Sequence, residues 1–296
     1  MTVPGPGRRR RAAVVVAAAV AVALAVPVSA AVPVSAAVPV PVQAATPHFT
    51  PNDFNGDGRS DIAVFRPATG TWYIHGFGRT RWGVGGDIPA SGDHGDGRAE
   101  IAVFRPSTGT WWVRGSSPFR WGQPGDLPVQ AHYRGLREPT VVAVFRPSTG
   151  AWWFDDYRLG QSNPLQYGRH GDVPVPGRYD GSSDDNPAVW RPSTGTWYVL
   201  GSAPIRYGQS GDIPVPGDYN GDGRTDLAVW RPSTGQWWIR GRAPVTFGVA
   251  GDKPARGDYN GDHRADIAVW RPSTGTWYVR GVSKIRWGTN GDVPIG

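Results

Sequence analysis

Acidic and amide side chains recur at fixed spacing in a glycine-rich segment that runs from Asp218 to Asp226. Side chains with oxygen atoms occupy its first, third, fifth and ninth positions, Gly223 occupies the sixth, and the backbone carbonyl of Arg224 is available at the seventh. Ca²⁺ binds roughly six to eight oxygen atoms, and alternate residues of a tightly wound loop point inward to supply them. A helical calcium loop has a bidentate glutamate at its twelfth position, where this chain has Val229. The segment is therefore predicted to be a calcium loop between strands.

The same pattern occurs three times and predicts about three Ca²⁺ sites, with affinities on the order of 0.1 to 1 mM as in extracellular modules. The predicted ligands are Asp53, Asn55, Asp57, Arg59, Asp61, Asp218, Asn220, Asp222, Arg224, Asp226, Asp258, Asn260, Asp262, Arg264 and Asp266. His263 replaces the sixth-position glycine in the last copy, which predicts a strained or weaker site. The alternative interpretation is that these segments are only polar turns rich in Asn, Asp and Gly.

Three other copies of the segment depart from the pattern. The copy that begins at Asp93 is one residue short, so its acids are expected to need rearrangement before they face one centre. The copy that begins at Arg178 has Ser182 at its fifth position, although three acids lie nearby. The remaining copy has no acid before Glu138 and is predicted to have lost the site.

Every copy carries an arginine before a proline and an aspartate after a glycine, even where the acidic segment has decayed. The arginines are Arg66, Arg105, Arg146, Arg191, Arg231 and Arg271, and the aspartates are Asp87, Asp126, Asp172, Asp212, Asp252 and Asp292. Their persistence without the metal pattern predicts a bidentate structural ion pair between strands or between neighbouring repeats. The alternative is that the arginines and nearby tryptophans form pockets for a sugar or an anion, with Trp112, Trp153 and Trp238 as the candidate aromatic residues.

Two adjacent aromatic residues, such as Trp237 and Trp238, occur at the same place in every copy. Adjacent side chains of a strand face opposite sides, so one of each pair is predicted to pack between repeats and the other to be half-exposed. A row of exposed rings would suit carbohydrate binding. Filling of wedge-shaped gaps by large rings is the interpretation that packing favours.

The residues that could take part in catalysis recur from repeat to repeat and do not form one asymmetric catalytic site, which argues against an enzyme. The six histidines have no metal-ligand spacing, and the sequence contains no nucleophile elbow, phosphate-binding lysine loop or zinc-protease motif. The chain has no cysteine, so disulfides, cysteine-ligated zinc, iron–sulfur clusters and a thiol nucleophile are excluded.

These residues recur because the chain is a repeat array. The sequence Ala-Val-Phe/Trp-Arg-Pro begins at six positions separated by 39, 41, 45, 40 and 40 residues. In each unit, two short β-branched and aromatic segments flank Pro-Ser-Thr-Gly or Pro-Ala-Thr-Gly and predict a β-hairpin. A third strand is predicted at segments such as Pro204 to Gly208, and a fourth at segments such as Asp212 to Pro216. The proline content of the fourth predicts an edge position.

Three to four strands in about 40 residues are typical of one propeller blade, so the sequence predicts an all-β, six-bladed β-propeller. Joining residue 296 to the first acidic segment reproduces an internal junction of the array, which predicts that the two termini complete one blade. The alternative is an open β-solenoid. The repeats are predicted at about residues 53–92, 93–131, 132–177, 178–217, 218–257 and 258–296. The third repeat carries five extra residues around Asp155 to Arg158. This insertion is either a candidate specific site or the result of neutral drift in a tolerant loop.

The order of motifs in the sixth copy resembles a known family. Phe247-Gly248, then Gly257-Asp258-Tyr259-Asn260-Gly261-Asp262, then Ile267-Ala268-Val269-Trp270-Arg271-Pro272 resembles FG-GAP/VCBS repeats, which are also found in the propeller of integrin α subunits. The family motif ends in Gly-Ala-Pro, whereas this chain has Trp/Phe-Arg-Pro, a departure that argues against integrin-like ligand binding. The resemblance covers about residues 48–296 and is most specific in copies one, five and six. It implies a calcium-binding β-propeller that serves adhesion or recognition.

Residues 1–44 are predicted to be a signal peptide followed by a leader rich in Ala, Pro and Val. Arg8 to Arg11 precede the apolar run Ala12 to Val26, whose 15 residues match a secretory core and fall short of the about 20 that span a bilayer. Small-residue cleavage patterns end at Ala30, Ala36 and Ala44, and we favour the last. A retained membrane anchor is the weaker interpretation. Removal of four arginines lowers the formal charge from +7 to +3, so nucleic acid is not a favoured partner.

The sequence therefore predicts residues 45–296 to be a secreted calcium-binding propeller that recognises a protein or surface partner. It predicts no catalytic residues, no nucleic-acid partner and no stable membrane anchor after cleavage of the leader. The first alternative is a lectin-like propeller with several equivalent glycan sites, and the second is a structural module of the cell envelope.

Overall fold

The computed structural model describes residues 50–156 and 164–296, which belong to a compact unit that runs from Ala45 to Gly296. The predicted leader and residues 157–163 of the third-copy insertion lie outside the described residues. The secondary structure of the described residues consists of 24 strands without a helix. In this part of the chain there is accordingly no helix that is long and apolar enough to cross a membrane.

The first half of the described chain contributes eleven strands. They are β1 (Ala63–Arg66), β2 (Thr71–Ile74), β3 (Gly78–Arg81), β4 (Ile88–Pro89), β5 (Ala102–Arg105), β6 (Thr110–Val113), β7 (Phe119–Arg120), β8 (Leu127–Pro128), β9 (Ala143–Arg146), β10 (Ala151–Phe154) and β11 (Leu165–Gln166). The second half contributes thirteen. They are β12 (Val173–Pro174), β13 (Ala188–Arg191), β14 (Thr196–Val199), β15 (Ile205–Arg206), β16 (Ile213–Pro214), β17 (Ala228–Arg231), β18 (Gln236–Ile239), β19 (Val245–Thr246), β20 (Lys253–Gly257), β21 (Asp266–Arg271), β22 (Thr276–Val279), β23 (Ser283–Arg286) and β24 (Val293–Ile295).

These strands form six antiparallel four-stranded sheets, which are arranged in a ring as a six-bladed β-propeller. Blade one has the strand order β24-β1-β2-β3, and blades two to six follow with β4 to β7, β8 to β11, β12 to β15, β16 to β19 and β20 to β23. Pairing of β24 with β1 places Ile295 opposite Ala63 and closes the ring with strands from both ends of the array. The predicted propeller and its closure are confirmed, and the open solenoid was wrong.

The central hairpin of each blade forms where the sequence predicts it. In blade five, Trp230 of β17 lies opposite Trp237 of β18, and the two strands are joined by the turn that ends at Gly235. Gly235 has a φ of 64°, and a Cβ atom there would lie 2.3 Å from the carbonyl oxygen of Gly248. A side chain at this position would therefore collide with the loop that leads to the next blade, so the turn requires glycine.

The fourth predicted strand is the innermost strand of each blade. Pro214 of β16 pairs with Val229, and the opposite edge of β16 faces the central channel, which Pro216 and Gly217 line. A proline has no N–H to donate and is therefore tolerated where no further strand pairs. The predicted edge position is confirmed, and the edge in question is the inner one.

The hydrophobic core lies in the six gaps between neighbouring blades. In the gap between blades four and five, Trp190 and Trp197 pack against Val229 and Trp238. The indole N–H of Trp197 donates to the carbonyl oxygen of Tyr207 at 2.8 Å, so its burial leaves no polar atom unpaired. Burial of a ring of roughly 150–250 Å² stabilises the fold by roughly 4–6 kcal/mol, which makes these gaps the main source of stability.

Candidate functional site

The predicted calcium segments lie together at one end of the channel. In blades five and six they connect the innermost strand to the second strand, and in blade one the segment precedes the second strand β1. We call residues 53–61 loop one, 218–226 loop five and 258–266 loop six; the corresponding residues 93–100, 132–141 and 178–186 are loops two, three and four. Closure of the ring makes loops five, six and one consecutive. The backbone N–H of Ser60 in loop one donates to the carbonyl oxygen of Asp258 in loop six at 2.7 Å.

This inter-loop hydrogen bond recurs around the whole ring. In each loop the residue before the last ligand position donates its N–H to the carbonyl oxygen of the first residue of the preceding loop. The six donor and acceptor pairs are Ser60 and Asp258, Ala99 and Asp53, Thr140 and Asp93, Asp185 and His132, Thr225 and Arg178, and Ala265 and Asp218, at 2.6–3.0 Å. The loops are therefore held in one continuous ring by their backbones.

The first aspartate of each predicted site is held by the turn of its own loop. In loop five, the two carboxylate oxygens of Asp218 accept hydrogen bonds from the N–H groups of Gly221 at 2.6 Å and Gly223 at 2.7 Å. Asp53 and Asp258 accept the equivalent bonds in loops one and six. These bonds fix the carboxylate and wind the loop tightly, as an inward-facing ligand set requires.

The third-position amide joins the fifth and ninth side chains of the loop by hydrogen bonds in loops one and five, and it joins the ninth in loop six. In loop one, the amide nitrogen of Asn55 lies 3.2 Å from a carboxylate oxygen of Asp57 and 3.1 Å from one of Asp61. Asn220 makes the same two contacts in loop five, at 3.0 and 3.2 Å. The positive end of an amide dipole thus lies between two carboxylates, which is a position where positive charge is favoured.

The electrostatics of the loops also favour a cation. Burial raises the pKa of Asp61 to about 6, and the charges of Asp57 and Asp53 raise it further. The pKa of Asp266 is raised to about 6 for the same reasons, and that of Asp226 is raised as well. No arginine or lysine of the described residues forms an ion pair with the carboxylates of loops one, five and six. The donor set and the absence of ion pairs to these carboxylates fit a hard divalent cation.

The seventh-position arginines have a role that the sequence interpretation missed. Their backbone N–H groups donate to the fifth-position aspartate, as Arg59 does to Asp57 at 2.9 Å. Their side chains cross to the preceding loop: a Cβ atom on Gly261 of loop six would lie 3.0 Å from Nε of Arg59. Arg264 and Arg98 cover Gly221 and Gly56 in the same way. The recurrence of glycine at the fourth position and of arginine at the seventh was the sequence feature that could have predicted this contact.

Position six of loop six is occupied by a histidine in place of glycine. His263 has a φ of 62°, in the left-handed region where the other two loops have glycine. Its N–H still donates to Asp258 at 2.8 Å, so the hydrogen-bonding pattern survives the substitution. The backbone of His263 is thus in the conformation that glycine favours, and a weaker metal site in this loop stays a prediction.

Loop two does rearrange, and its acids then converge. Among the described His, Asp and Glu side chains, Asp93, Asp96 and Glu100 are the one group of three with ligand atoms within 4.8 Å of one another. Glu100 accepts from the N–H of His94 at 2.8 Å, as Asp61 does from Phe54. The extra methylene of Glu100 thus compensates for the missing residue, a possibility that spacing alone did not reveal.

Loop four keeps the hydrogen bond between the third and ninth side chains, but the donor and the acceptor have changed places. Asn186 occupies the ninth position and donates to Asp180, at the third position, at 2.9 Å. Hydrogen bonds from Ser182 and Asn186 lower the pKa of Asp180 to about 2. Arg178 replaces the first aspartate, so this loop lacks the charge balance of loops one, five and six.

The six recurring arginines form the predicted structural ion pairs. In each blade, Nε and Nη2 of the arginine donate to the two oxygens of the aspartate that precedes the innermost strand, at 2.7–3.0 Å. The aspartate side chains are at most 1% exposed. The pairs connect the first and second strands of one blade, and hydrogen bonding to the aspartate raises the pKa of Arg66, Arg105, Arg191, Arg231 and Arg271.

The second aromatic residue of each pair lies beneath one of these guanidinium groups. Arg231 stacks over Trp238 with Cζ 4.8 Å from the ring centre, and Arg66 stacks over Tyr73 at 4.3 Å. The Tyr73 hydroxyl also accepts from Nη1 of Arg66 at 2.8 Å. The second aromatic residues are half-buried, and they pack against the preceding blade rather than standing free.

Tryptophan replaces this tyrosine in blades two, three and five. The indole N–H groups of Trp112, Trp153 and Trp238 are buried without a hydrogen-bond partner among the described residues. Because tryptophan supplies no acceptor, Nη1 of the adjacent arginine also has none in this part of the chain. Three gaps therefore hold a buried, unpaired indole donor beneath an arginine.

The comparisons with known proteins give no family for this chain. No family model, no curated protein and no solved structure matches it.

Proposed function

We propose that the protein is a calcium-stabilised recognition propeller, in which loops one, five and six each hold one Ca²⁺. The carrying observation is the group of third, fifth and ninth side chains, which the third-position amide joins by hydrogen bonds in loops one and five, beside a first aspartate that backbone N–H groups hold in place. The ligands would be the carboxylate and amide oxygens of those four positions and the carbonyl oxygen of the seventh residue. Calcium would supply charge neutralisation and rigidity to one half of the loop ring.

A binding role follows from the distribution of the chemistry. The ion pairs, loop carboxylates and stacked aromatic rings repeat from blade to blade, which suits a scaffold that presents a rigid surface rather than a single catalytic centre. We therefore propose recognition of a protein or surface partner by an exported protein, in keeping with the resemblance to FG-GAP/VCBS repeats.

The calcium proposal is tested by the thermal unfolding midpoint with and without metal. Calcium at about 100 times the dissociation constant should stabilise the fold by about 2.7 kcal/mol per independent site, because binding to the folded state alone shifts the equilibrium. The Asp226→Asn variant should lose one site in a calorimetric titration. Its fold should persist, since Asn186 already accepts from Tyr179 N–H at the equivalent place at 3.0 Å.

Asp180→Asn in loop four is the matched control, because this loop lacks the first aspartate and should not contribute to calcium binding. An unfolding midpoint that is the same in chelator and in millimolar calcium would overturn the proposal.

A lectin-like role is the second candidate, and the unpaired indole donors beneath the arginines of blades two, three and five favour it. A hydroxyl oxygen of a sugar could accept from both the indole and the guanidinium donors. Glycan-array binding with three equivalent sites, weakened by Trp238→Tyr, would support this role. Absence of binding to any glycan would count against it.

A further inference from the structure

The central channel opens into a cavity of about 470 Å³ at the end where the loop ring lies. This volume is in the range of small-molecule sites, which is roughly 300–1,000 Å³. All six blades contribute to its wall at one equivalent level. The residues there are Ser91, Gln130, Pro176, Pro216, Arg256 and Gly296.

Arg256 is the charged residue at this level, and it projects into the channel. It lies on the innermost strand β20, yet its side chain is exposed. Its Nη1 donates to the carbonyl oxygen of Pro216 in the neighbouring blade at 2.9 Å, which fixes the guanidinium. Burial raises the pKa of both Tyr179 and Tyr219, and the positive charge of Arg256 opposes that rise in each. The positive charge of Arg256, a residue of blade six, thus reaches tyrosines of loops four and five.

Arg178 brings a second cation to the same cavity. It occupies the first position of loop four, where four of the other loops have an aspartate. The substitution leaves the ring intact, because the N–H of Arg178 donates to Oγ1 of Thr225 at 3.0 Å and its carbonyl oxygen accepts from Thr225 N–H at 2.8 Å. Neither Arg178 nor Arg256 forms an ion pair with a carboxylate of residues 50–156 or 164–296.

The acids of the cavity wall form no ion pair with Arg178 or Arg256, and their carboxylates accept hydrogen bonds from backbone N–H groups of the loops instead. Asp218 accepts from two N–H groups of its own turn, and Asp258 does the same in loop six. Asp185 accepts from the N–H of His132 at 2.9 Å. The wall therefore presents hydrogen-bonded carboxylates and the guanidinium groups of Arg178 and Arg256, neither of which is ion-paired. Arg224 and Arg264 also line the cavity, and their side chains lie against Gly181 and Gly221 of the preceding loops.

We propose that this cavity binds a small oxyanion, such as a sulfate, phosphate or carboxylate group, through Arg256 and Arg178. Planar guanidinium groups donate pairs of hydrogen bonds to such anions. The site adjoins loops five and six, whose Asp218 and Asp258 line the same cavity, and it is separate from the indole donors of the blade gaps.

Calorimetric titration with inorganic sulfate, at constant ionic strength and in the presence of a metal chelator, tests this proposal. The expected result is saturable binding of one equivalent with a dissociation constant of about 1 mM or tighter. Arg256→Gln and Arg178→Gln should each weaken binding by roughly tenfold, the equivalent of about 1.4 kcal/mol. Arg280→Gln is the matched control, because Arg280 is exposed on an outer turn and should leave binding unchanged.

Arg256→Lys separates the effect of charge from that of the planar donor pair, because lysine retains the positive charge but lacks the planar guanidinium. This variant should bind sulfate more weakly than the wild type and more tightly than Arg256→Gln. The unfolding midpoint of each variant shows that it is folded. Absence of saturable sulfate binding, or equal affinity in wild type, Arg256→Gln and Arg178→Gln, would overturn the proposal. Titration with phosphate and with acetate then shows which oxyanion class the cavity prefers.

Discussion

The ninth residue of an acidic loop decides how much negative charge the loop holds. Asp226 in loop five and Asn186 in loop four accept a hydrogen bond from the same backbone position, the N–H of Tyr219 and of Tyr179 respectively. Only the aspartate adds a carboxylate to a partly buried cluster. Exchange of the two residue types therefore changes the charge of the loop with little change to its hydrogen bonds.

The raised pKa values of Asp61 and Asp266, both about 6, predict a pH dependence of stability. The same groups titrate near pH 3.9 in the unfolded chain, so between about pH 4 and 6 the folded state binds more protons. In chelator, the free energy of unfolding contributed by these groups falls as pH rises through that window. Scanning calorimetry should show that Asp61→Asn/Asp266→Asn has a flatter dependence of the unfolding midpoint on pH than the wild type.

Asp180→Asn is the control for that measurement, because the hydrogen bonds that lower the pKa of Asp180 to about 2 move its titration below the window. Saturating calcium should remove the destabilisation above pH 6, since the metal binds the deprotonated carboxylates. Parallel profiles for the wild type and Asp61→Asn/Asp266→Asn would contradict the assigned electrostatics.

At the scale of the strand pair, the ion pair between the first and second strands is the most buried charge in each blade. Asp212 is 1% exposed and accepts from Nε of Arg231 at 2.8 Å, and it also accepts from the N–H of Gln209 at 3.0 Å. Removal of one member of a buried pair leaves an uncompensated charge. The pair therefore fixes how the loop from the previous blade enters the innermost strand.

Arg231→Met is expected to lower the free energy of unfolding by about 3–5 kcal/mol, because Asp212 then remains buried without a counter-charge. Arg240→Met, at an exposed position of the same blade, should change it by no more than about 0.5 kcal/mol. Denaturant unfolding measures both. In the double variant Asp212→Asn/Arg231→Met part of the loss should be recovered, and equal stabilities of Arg231→Met and Arg240→Met would refute the structural role of the pair.

The strands, the turns and the existence of the ion pairs could be predicted from the sequence because their residues recur at fixed spacing, although the two members of a pair belong to neighbouring repeats. The turn at Gly235 and the pairing of Arg231 with Asp212 recur in register, so spacing alone indicated them. The acid cluster of loop two could not be predicted, because it depends on how far the side chain of Glu100 reaches. The position of Arg256 in the channel was equally hidden, since it depends on which edge of β20 faces the axis.

At the scale of the whole molecule, the ring of inter-loop hydrogen bonds makes the six loops one structure. Each loop donates to its predecessor, and the bond from Ser60 to Asp258 crosses the junction between the two ends of the array. A change in one loop is thus transmitted by backbone contact to the next. Loops five, six and one form a continuous arc, so calcium in these three would stiffen half of the channel mouth.

Ring closure predicts that the order of the repeats along the chain can be changed without loss of the fold. Asp61 donates its N–H to the carbonyl oxygen of Asn52 at 3.0 Å, as Asp226 does to Gly217 at 2.8 Å, so Asn52 occupies the place of Gly217. Gly296 accordingly corresponds to Pro216, the residue that precedes Gly217. A permutant that runs 194–296 and then 52–193 would therefore restore an internal junction and open the chain in an exposed turn of blade four. Circular dichroism and thermal melting should show a wild-type strand spectrum and one cooperative transition.

Truncation after Thr289 is the contrasting variant. It removes β24 and the Asp292 partner of Arg66 and leaves β1 as an unpaired edge, so it should abolish that transition. A truncated chain that melts like the wild type, or a permutant without the transition, would show that closure through β24 does not hold the ring together.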